Sequence, residues 1–516
     1  MEVPPSKQAT NSNGDDIQRK KIKKQLLYKN IREYIKEYCD SSSIQGLSYL
    51  TKNISLFERC WWIFVFLLCV GGCTNMIYEV CQKWVETPVL VSLATKDTSI
   101  FKIPFPAVTI CPESKISRDC VNYSKVLRMR RDGMGHLATA RENEYFDDMA
   151  LLCKAGNHKV ATESNRLADY TDFLDECKSV SLNYSHCKYG GIKLPCEDFL
   201  QPIITDEGLC YSFNMFDVRD IYSDVNKMKY LSEGIRNPVW DIDDGYPKEL
   251  IKNEEIYPYR SLSSGAKNSL VVVLLTKKSN VYYSCRDFQF QGMRVSLHMP
   301  ARIPRPNQVF FPVGLNELVT AQVTPTYMTT TPKIRDYAPE KRNCFFSKER
   351  TLKYFRIYSQ GNCNLECWTN YTIQECGCTH FYMPRDANTS ICPLANRQCL
   401  QTAAETYAVS NFPKKLHNEK KSKGPLTSNC NCLPLCTDLN YNAEISRGKW
   451  NWDDPNGADV GYLKKYFQDY HASAVKVYFK SSFSFQLKRV SYMELLTFFP
   501  TLEVFWVYLP DFHFSR

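Results

Sequence analysis

Residues 352–378 read LKYFRIYSQGNCNLECWTNYTIQECGC, and residues 429–436 read NCNCLPLC. Cys363 and Cys367 are four apart, so on a helix they share one face. Cys430 and Cys432 are two apart, so on an extended strand they also share one face. A helix carrying two thiols in a row can be stapled to a strand carrying two, which predicts a ladder of neighbouring disulfides. Cys376 and Cys378 repeat the two-residue spacing, with Cys392 and Cys399 downstream to receive them. Zinc competes for such thiols, but its sites favour Cys-X2–4-Cys repeats, often with a histidine pair. Only His380 and His417 are at hand, so structural disulfides are the preferred reading. A bond closing about 90 residues contributes roughly 4–5 kcal/mol in the chain-entropy model. The block 344–436, with its ten cysteines, therefore reads as a rigid lever.

Outward from that block, the chain supplies a membrane segment. Cys60–Tyr78, reading CWWIFVFLLCVGGCTNMIY, is 19 uncharged residues between Arg59 and Glu79. Helical rise makes that about 28 Å, against a hydrocarbon core of ~30 Å. Trp61 and Trp62 at one end, and Tyr78 and Trp84 at the other, are interfacial aromatics. Residues 60–80 thus read as a first transmembrane helix. Residues 1–59 hold 11 Lys/Arg against 7 Asp/Glu, which puts them in the cytoplasm. No apolar stretch occurs in the first 30 residues, so they are not a cleavable signal peptide. Residues 81–489 then lie outside the cell.

The cysteines agree with that topology. Eighteen of the 23 fall between Cys111 and Cys436, an even number that reads as nine disulfides. Four glycosylation sequons, headed by Asn122, Asn183, Asn370 and Asn388, fall in the same region. The chain of 516 residues is 44% hydrophobic and 23% charged, which excludes both a disordered chain and a bundle made mostly of membrane helices. The net charge of +10 comes from 65 cations and 55 anions spread along the chain. Without a dense basic stripe, nucleic acid is not the partner; lipid is. No G-X-S-X-G, H-E-X-X-H or phosphate-cradling glycine loop occurs, so the chain does not read as an enzyme. His298, in a Leu-His-Met-Pro stretch, reads as structural.

Further motifs stand in a fixed order. Phe105-Pro106-Ala107-Val108-Thr109-Ile110-Cys111 follows the membrane stretch, and Gly208-Leu209-Cys210-Tyr211-Ser212-Phe213-Asn214 lies further on. Arg342-Asn343-Cys344 opens the cysteine block, and Tyr358-Ser359-Gln360 precedes Cys363. Cys376-Gly377-Cys378 leads to Phe381-Tyr382-Met383-Pro384, and Cys430-Asn431-Cys432-Leu433-Pro434-Leu435-Cys436 closes the block. Together these resemble the degenerin/epithelial sodium channel family, with the flavour of an insect pickpocket-like subunit, over residues 40–495.

The resemblance implies an α+β membrane protein: a transmembrane helix and a large disulfide-rich extracellular domain with a mixed β palm and a helical thumb. The palm would be built from segments near 90–111, 205–216, 268–300 and 437–488, the finger would lie within 112–200, and the thumb would be 344–436. Leu270-Val271-Val272-Val273-Leu274-Leu275 fits a buried strand on its own pattern. The resemblance also implies a sodium-permeable, amiloride-sensitive channel in the plasma membrane. It would be a trimer of homologous subunits, with sodium as the permeant ion and no cofactor. It implies the pairs Cys111–Cys210, Cys187–Cys196, Cys344–Cys436, Cys363–Cys432, Cys367–Cys430, Cys376–Cys399 and Cys378–Cys392. Cys120, Cys153, Cys177 and Cys285 are left with three pairings open. It places a cytoplasmic gating motif within Ser43-Ile44-Gln45-Gly46-Leu47, where Gln45 stands in place of the family's histidine and Gly46 is kept. A glycine there allows the close chain approach of a re-entrant turn.

The C-terminal stretch departs from that pattern. Residues 490–510 are 21 long between Arg489 and Asp511, enough to span a bilayer, but they hold Glu494, Pro500, Glu503 and Pro510. An acid at the bilayer centre costs about 2.5–3.5 kcal/mol on insertion scales. The last glycine is Gly461, so no Gly-X-Ser filter can be assigned after it. Residues 490–510 read as an atypical hydrophobic segment, a candidate second membrane helix, with 511–516 as a tail. Two functions stay open. One is a sodium-channel subunit, sensory (salt taste or mechanosensation) or epithelial (sodium and liquid transport). The other is a non-conducting or regulatory single-pass variant that binds partner subunits or extracellular ligands. Two spans favour the first and one span the second.

Overall fold

A computed structural model describes residues 28–31, 33–39, 41, 55–94, 97–153, 170–182, 185–229, 231, 237–250, 256–282, 285, 290–410, 430–452 and 468–491. Gln45, Gly46, Asn183 and residues 492–516 lie outside them. The chain forms two compact units, residues 1–90 with 491–516 and residues 91–490.

In the first unit, α1 (Leu56–Glu86) is the one helix among the described residues long and apolar enough to cross a membrane. It extends past the 60–80 expected from charge alone. At its start, Ser55 accepts from the Glu58 amide and the Glu58 carboxylate accepts from the Ser55 amide. At its end, Asn75 donates to Glu79 at 3.2 Å and Gln82 to Glu86 at 3.2 Å. Such i,i+4 pairs support helix beyond the uncharged stretch. Thr87, which precedes a proline and so disfavours helical backbone, stops it.

The chain continues through β1 (Val89–Leu93), β2 (Thr98–Ser99) and β3 (Ala107–Pro112). Helices α2 (Tyr123–Arg131), α3 (Ala140–Leu152) and α4 (Tyr170–Glu176) follow. Then come β4 (His186–Tyr189), β5 (Ile192–Leu194), β6 (Gln201–Thr205), β7 (Gly208–Phe213) and β8 (Leu270–Lys277). They are followed by β9 (Gly292–His298), β10 (Phe311–Gly314) and β11 (Glu317–Thr330). Helices α5 (Gln360–Cys376) and α6 (Arg397–Ser410) precede β12 (Asp438–Lys449), β13 (Tyr470–Phe479) and β14 (Phe483–Ser491). Val490 and Ser491, placed by the sequence in the hydrophobic segment, thus still belong to a strand.

One sheet runs β1-β14-β11-β13-β8-β4-β5, with β12 added on β11 and β2 on β14; the other runs β10-β9-β3-β7-β6. β11 is the hub. It pairs antiparallel with β12 along 317–328, and parallel with β13 and β14 at 318–323 and 326–330. Its Val319, Ala321 and Val323 are buried while the residues between them are half-exposed, the period of two of a pleated strand. β8 carries the run from Leu270 to Leu275 and is buried there except at Val271, as a strand covered on both faces should be.

One apolar core joins both sheets to α2 and α3. Val108, Ile110, Phe213 and Val295 of the five-stranded sheet meet Val272, Val319 and Val475 of the other, and Val126, Phe146 and Met149 of α2 and α3. Tyr123 stacks on Phe146 at 4.7 Å, and the Arg130 guanidinium lies over the same ring at 4.5 Å. A second core seats α5, where Tyr358 and Leu365 pack with Ile103, Trp240, Phe345 and Leu435.

Candidate functional site

The disulfide ladder is built on α5. Ser359 caps the helix by accepting from the Asn362 amide at 3.1 Å, and Gly377 ends it at φ 72°, a left-handed conformation that favours glycine. The helix occupies 360–376 rather than the whole quoted stretch. Upstream of it, the Glu366 carboxylate accepts from the amides of Lys353 and Tyr354 at 3.0 and 2.8 Å and so holds that segment off the helix axis.

The rungs are Cys363–Cys432 and Cys367–Cys430, with Cα separations of 5.7 and 6.0 Å. The receiving segment is not the strand expected from the i,i+2 spacing, because Asn431 adopts φ 43°. Its carbonyls find side-chain donors instead of a neighbouring strand. Arg350 donates to those of Cys430 and Asn431, Gln360 to that of Cys432 at 3.0 Å, and the Tyr358 hydroxyl to that of Leu433 at 2.6 Å. Spacing alone could not foresee this, since a turn and a pleat both bring alternate thiols to one side.

All seven pairs implied by the resemblance are bonded. Cys111–Cys210 joins β3 to β7, and Cys187–Cys196 anchors β4. Cys344–Cys436 closes the cysteine block. Cys376–Cys399 and Cys378–Cys392 tie the end of α5 to the chain around α6, where Trp368 and Tyr371 pack on Tyr407 at 4.8 and 5.4 Å. The open pairing resolves as Cys120–Cys177 and Cys153–Cys285. Cys39, Cys60, Cys69, Cys73 and Cys81 carry no disulfide. Asn370 on α5 and Asn388 are exposed, and Asn122 caps α2 by accepting from the Lys125 amide at 3.1 Å.

Arg342 organises the entry to the cysteine block. Its buried guanidinium donates to the carbonyls of Cys344 at 3.0 Å and Tyr337 at 2.7 Å, and pairs with Glu349. Five donors in a planar fork make arginine suited to such a task.

Two buried polar groups lie in or beside the five-stranded sheet; the sequence singled out only His298 among them, as structural. The first is a charge quartet. Lys115 meets Glu207 at 3.0 Å and also donates to the Pro112 carbonyl at 2.8 Å. Arg294 pairs with Glu113, lies 3.6 Å from Glu207 and covers the Phe310 ring at 4.3 Å. All four side chains are at most 16% exposed, so two cations and two anions compensate each other out of water.

The second is a proton-ordered chain through His298. The Met299 carbonyl can only accept, so Nδ1 of His298 carries the proton it receives at 3.0 Å. Nε2 then accepts from the Thr109 hydroxyl at 2.8 Å, which in turn accepts from Ser212 at 2.9 Å. Burial pulls the His298 imidazole from its ordinary value of 6.5 down to about 4, and the Arg302 guanidinium pushes the same way. The unfolded chain therefore takes up this proton near pH 6.5 and the folded chain only near pH 4. Between those values the unfolded state binds more protons, so stability is complete above pH 6.5 and falls as pH drops towards 4. We expect a loss of about 3 kcal/mol across that window, at 1.36 kcal/mol per unit. A His298→Gln variant should be less stable at neutral pH but lose less of its stability between pH 6.5 and 4. Thermal midpoints of the purified protein across that range check it.

With this geometry in place, comparison with known proteins gives a consistent result. The profile of the amiloride-sensitive sodium channel family matches residues 38–502. The chain is similar to Pickpocket protein 28 of Drosophila melanogaster, 28% identical over 428 residues, which cover 81% of this chain and 65% of that protein. It is 20% identical to sodium channel protein Nach of Drosophila melanogaster, covering 81% of this chain and 73% of the relative. Against acid-sensing ion channel 1A of Danio rerio it is 21% identical, covering 83% and 74%. It spans less than two thirds of Pickpocket protein 28 and 59% of Pickpocket protein 11. The nine-disulfide domain, the apolar helix before it and a profile match across nearly the whole chain place this protein in the amiloride-sensitive sodium channel family.

Proposed function

We propose that this chain is a subunit of a sodium-permeable, amiloride-sensitive cation channel, assembled as a trimer with copies of itself or homologous subunits in the plasma membrane. The observation that carries the reading is the family match over 38–502, on a chain that joins a membrane-crossing helix to a disulfide-braced domain. The N-terminus is cytoplasmic by its charge, and residues 81–489 face the outside, where oxidising conditions suit nine disulfides. Asn370 and Asn388 then carry glycans on exposed thumb positions. A thumb closed by five disulfides cannot absorb displacement within itself, so energy delivered to it passes to the palm. Two residues separate α1 from the palm's β1, and β14 leads into the C-terminal hydrophobic segment.

An epitope tag after Arg516 tests the two-span topology. Antibody access only after permeabilisation is expected, together with an amiloride-blocked current that reverses near the sodium equilibrium potential. A tag seen on intact cells, with no current in any subunit combination, overturns the reading. The acids Glu494 and Glu503 favour the alternative in that case, a single-pass regulatory subunit. In an assembly that conducts, Gly46→Ala should lower open probability severalfold, because a Cβ restricts the backbone of the proposed turn. Unchanged single-channel open probability removes Gly46 from gating.

A further inference from the structure

Among the contacts of residues 344–436 with the sheets is one made by a fully buried amide. Asn362 lies in the first turn of α5, one residue before the ladder's first cysteine, and is 0% exposed. Its Oδ1 accepts from the Ile303 amide at 3.2 Å. Its Nδ2 donates to the Ile357 carbonyl at 3.1 Å and to that of Ala301 at 3.5 Å. Residues 299–303 are the loop that leaves β9 after His298. That loop is tied to the palm at three further points. The Met299 carbonyl accepts from His298 at 3.0 Å, the Pro300 carbonyl accepts from the Phe216 amide at 2.9 Å, and Arg302 meets Asp438 at the start of β12 at 3.3 Å. The neighbouring Gly361 permits the approach, since a Cβ there would sit 3.2 Å from Cδ of Arg302.

We propose that Asn362 is the positioning residue that transmits displacement of the disulfide-braced thumb to the palm. The physical reason is its chemistry. A carboxamide donates and accepts at once, so one side chain fixes a loop amide and a loop carbonyl together, and a rigid helix carries it. Apolar contacts around it can slide; a buried amide left without partners would cost about 1–3 kcal/mol, so the pair moves together or separates cooperatively. The proposal rests on the channel reading for its physiological meaning, but the coupling itself can be measured without current.

The test is a double-mutant cycle on the purified full chain, read by hydrogen exchange. Loosening the ladder with Cys367→Ser/Cys430→Ser should speed exchange of the 299–303 amides about fivefold or more when Asn362 is present. In an Asn362→Ala background the same loosening should leave those amides unchanged. Equal responses in both backgrounds overturn the proposal. Asn362→Asp gives a second handle if the alanine variant folds poorly. An ionised carboxylate repels the carbonyls of Ala301 and Ile357, while a protonated one donates as the amide did. Burial among carbonyls raises the pKa of that carboxyl, so coupling should persist while it is protonated and be lost as pH rises through its ionisation, relative to wild type at each pH. Coupling that is independent of pH in this variant also counts against Asn362. Where the assembly conducts, Asn362→Ala should change opening kinetics severalfold at unchanged surface level. Absence of current from the wild-type assembly contradicts the channel reading, and the exchange cycle still decides the coupling.

Discussion

Removal of one ladder rung, Cys363→Ser/Cys432→Ser, should cost about 2–3 kcal/mol, and removal of both rungs about 6 kcal/mol. The two bonds have sequence separations of 69 and 63, and each alone would be assigned roughly 4 kcal/mol by loop length. They are not alone. While one rung stands, the other closes a ring of only about eight residues, so its loss frees little chain entropy. Once both are gone, the nearest enclosing bond is Cys344–Cys436, and the ring that the last rung had closed was about 25–31 residues, depending on which rung went first. The second removal should therefore cost more than the first, whichever rung goes first. Resistance of the purified chain to a titrated protease, measured across the four variants, checks this. A second removal that costs less than the first would contradict the nested arrangement.

Glu207→Gln should cost about 3–5 kcal/mol, among the largest effects of any single substitution outside the disulfides. Glu207 is fully buried and faces Lys115 at 3.0 Å and Arg294 at 3.6 Å. Neutralising it leaves a buried ammonium facing a neutral amide, with Glu113 as the one remaining anion of the quartet. The double variant Lys115→Met/Glu207→Gln should be less damaged than Glu207→Gln alone, because it removes both members of the closest pair and leaves Arg294 with Glu113. The same protease titration reads both. A single variant within about 1 kcal/mol of wild type, or a double variant worse than the single, would mean that water reaches the cluster.

Much of the architecture was legible because its signals are local. The uncharged stretch Cys60–Tyr78 needs no partner to be recognised, and the alternation along β11 or the apolar run of β8 reports burial directly. The helix face shared by Cys363 and Cys367 is likewise a property of four consecutive peptide bonds. Boundaries were less legible, since side-chain bonds such as Gln82 to Glu86 carry α1 beyond its apolar middle, and Glu366 draws residues 353–354 off α5.

By itself the sequence determined an apolar helix long enough to span a bilayer and a ladder of paired thiols, which follow from composition and from spacings of a few residues, and an ordered set of motifs that resembles a family. Only the tertiary structure decided which of Cys120, Cys153, Cys177 and Cys285 are joined, how the segment bearing Cys430 and Cys432 turns, and where Asn362, His298 and the quartet of Lys115, Glu113, Glu207 and Arg294 find their partners. The reason is distance along the chain: Lys115 and Glu207 are 92 residues apart, and Asn362 and Ile303 are 59 apart. A local pattern records the face on which a side chain lies. The partner that makes a buried charge or amide tolerable is chosen by the packing of sheets and helices that bring remote segments together.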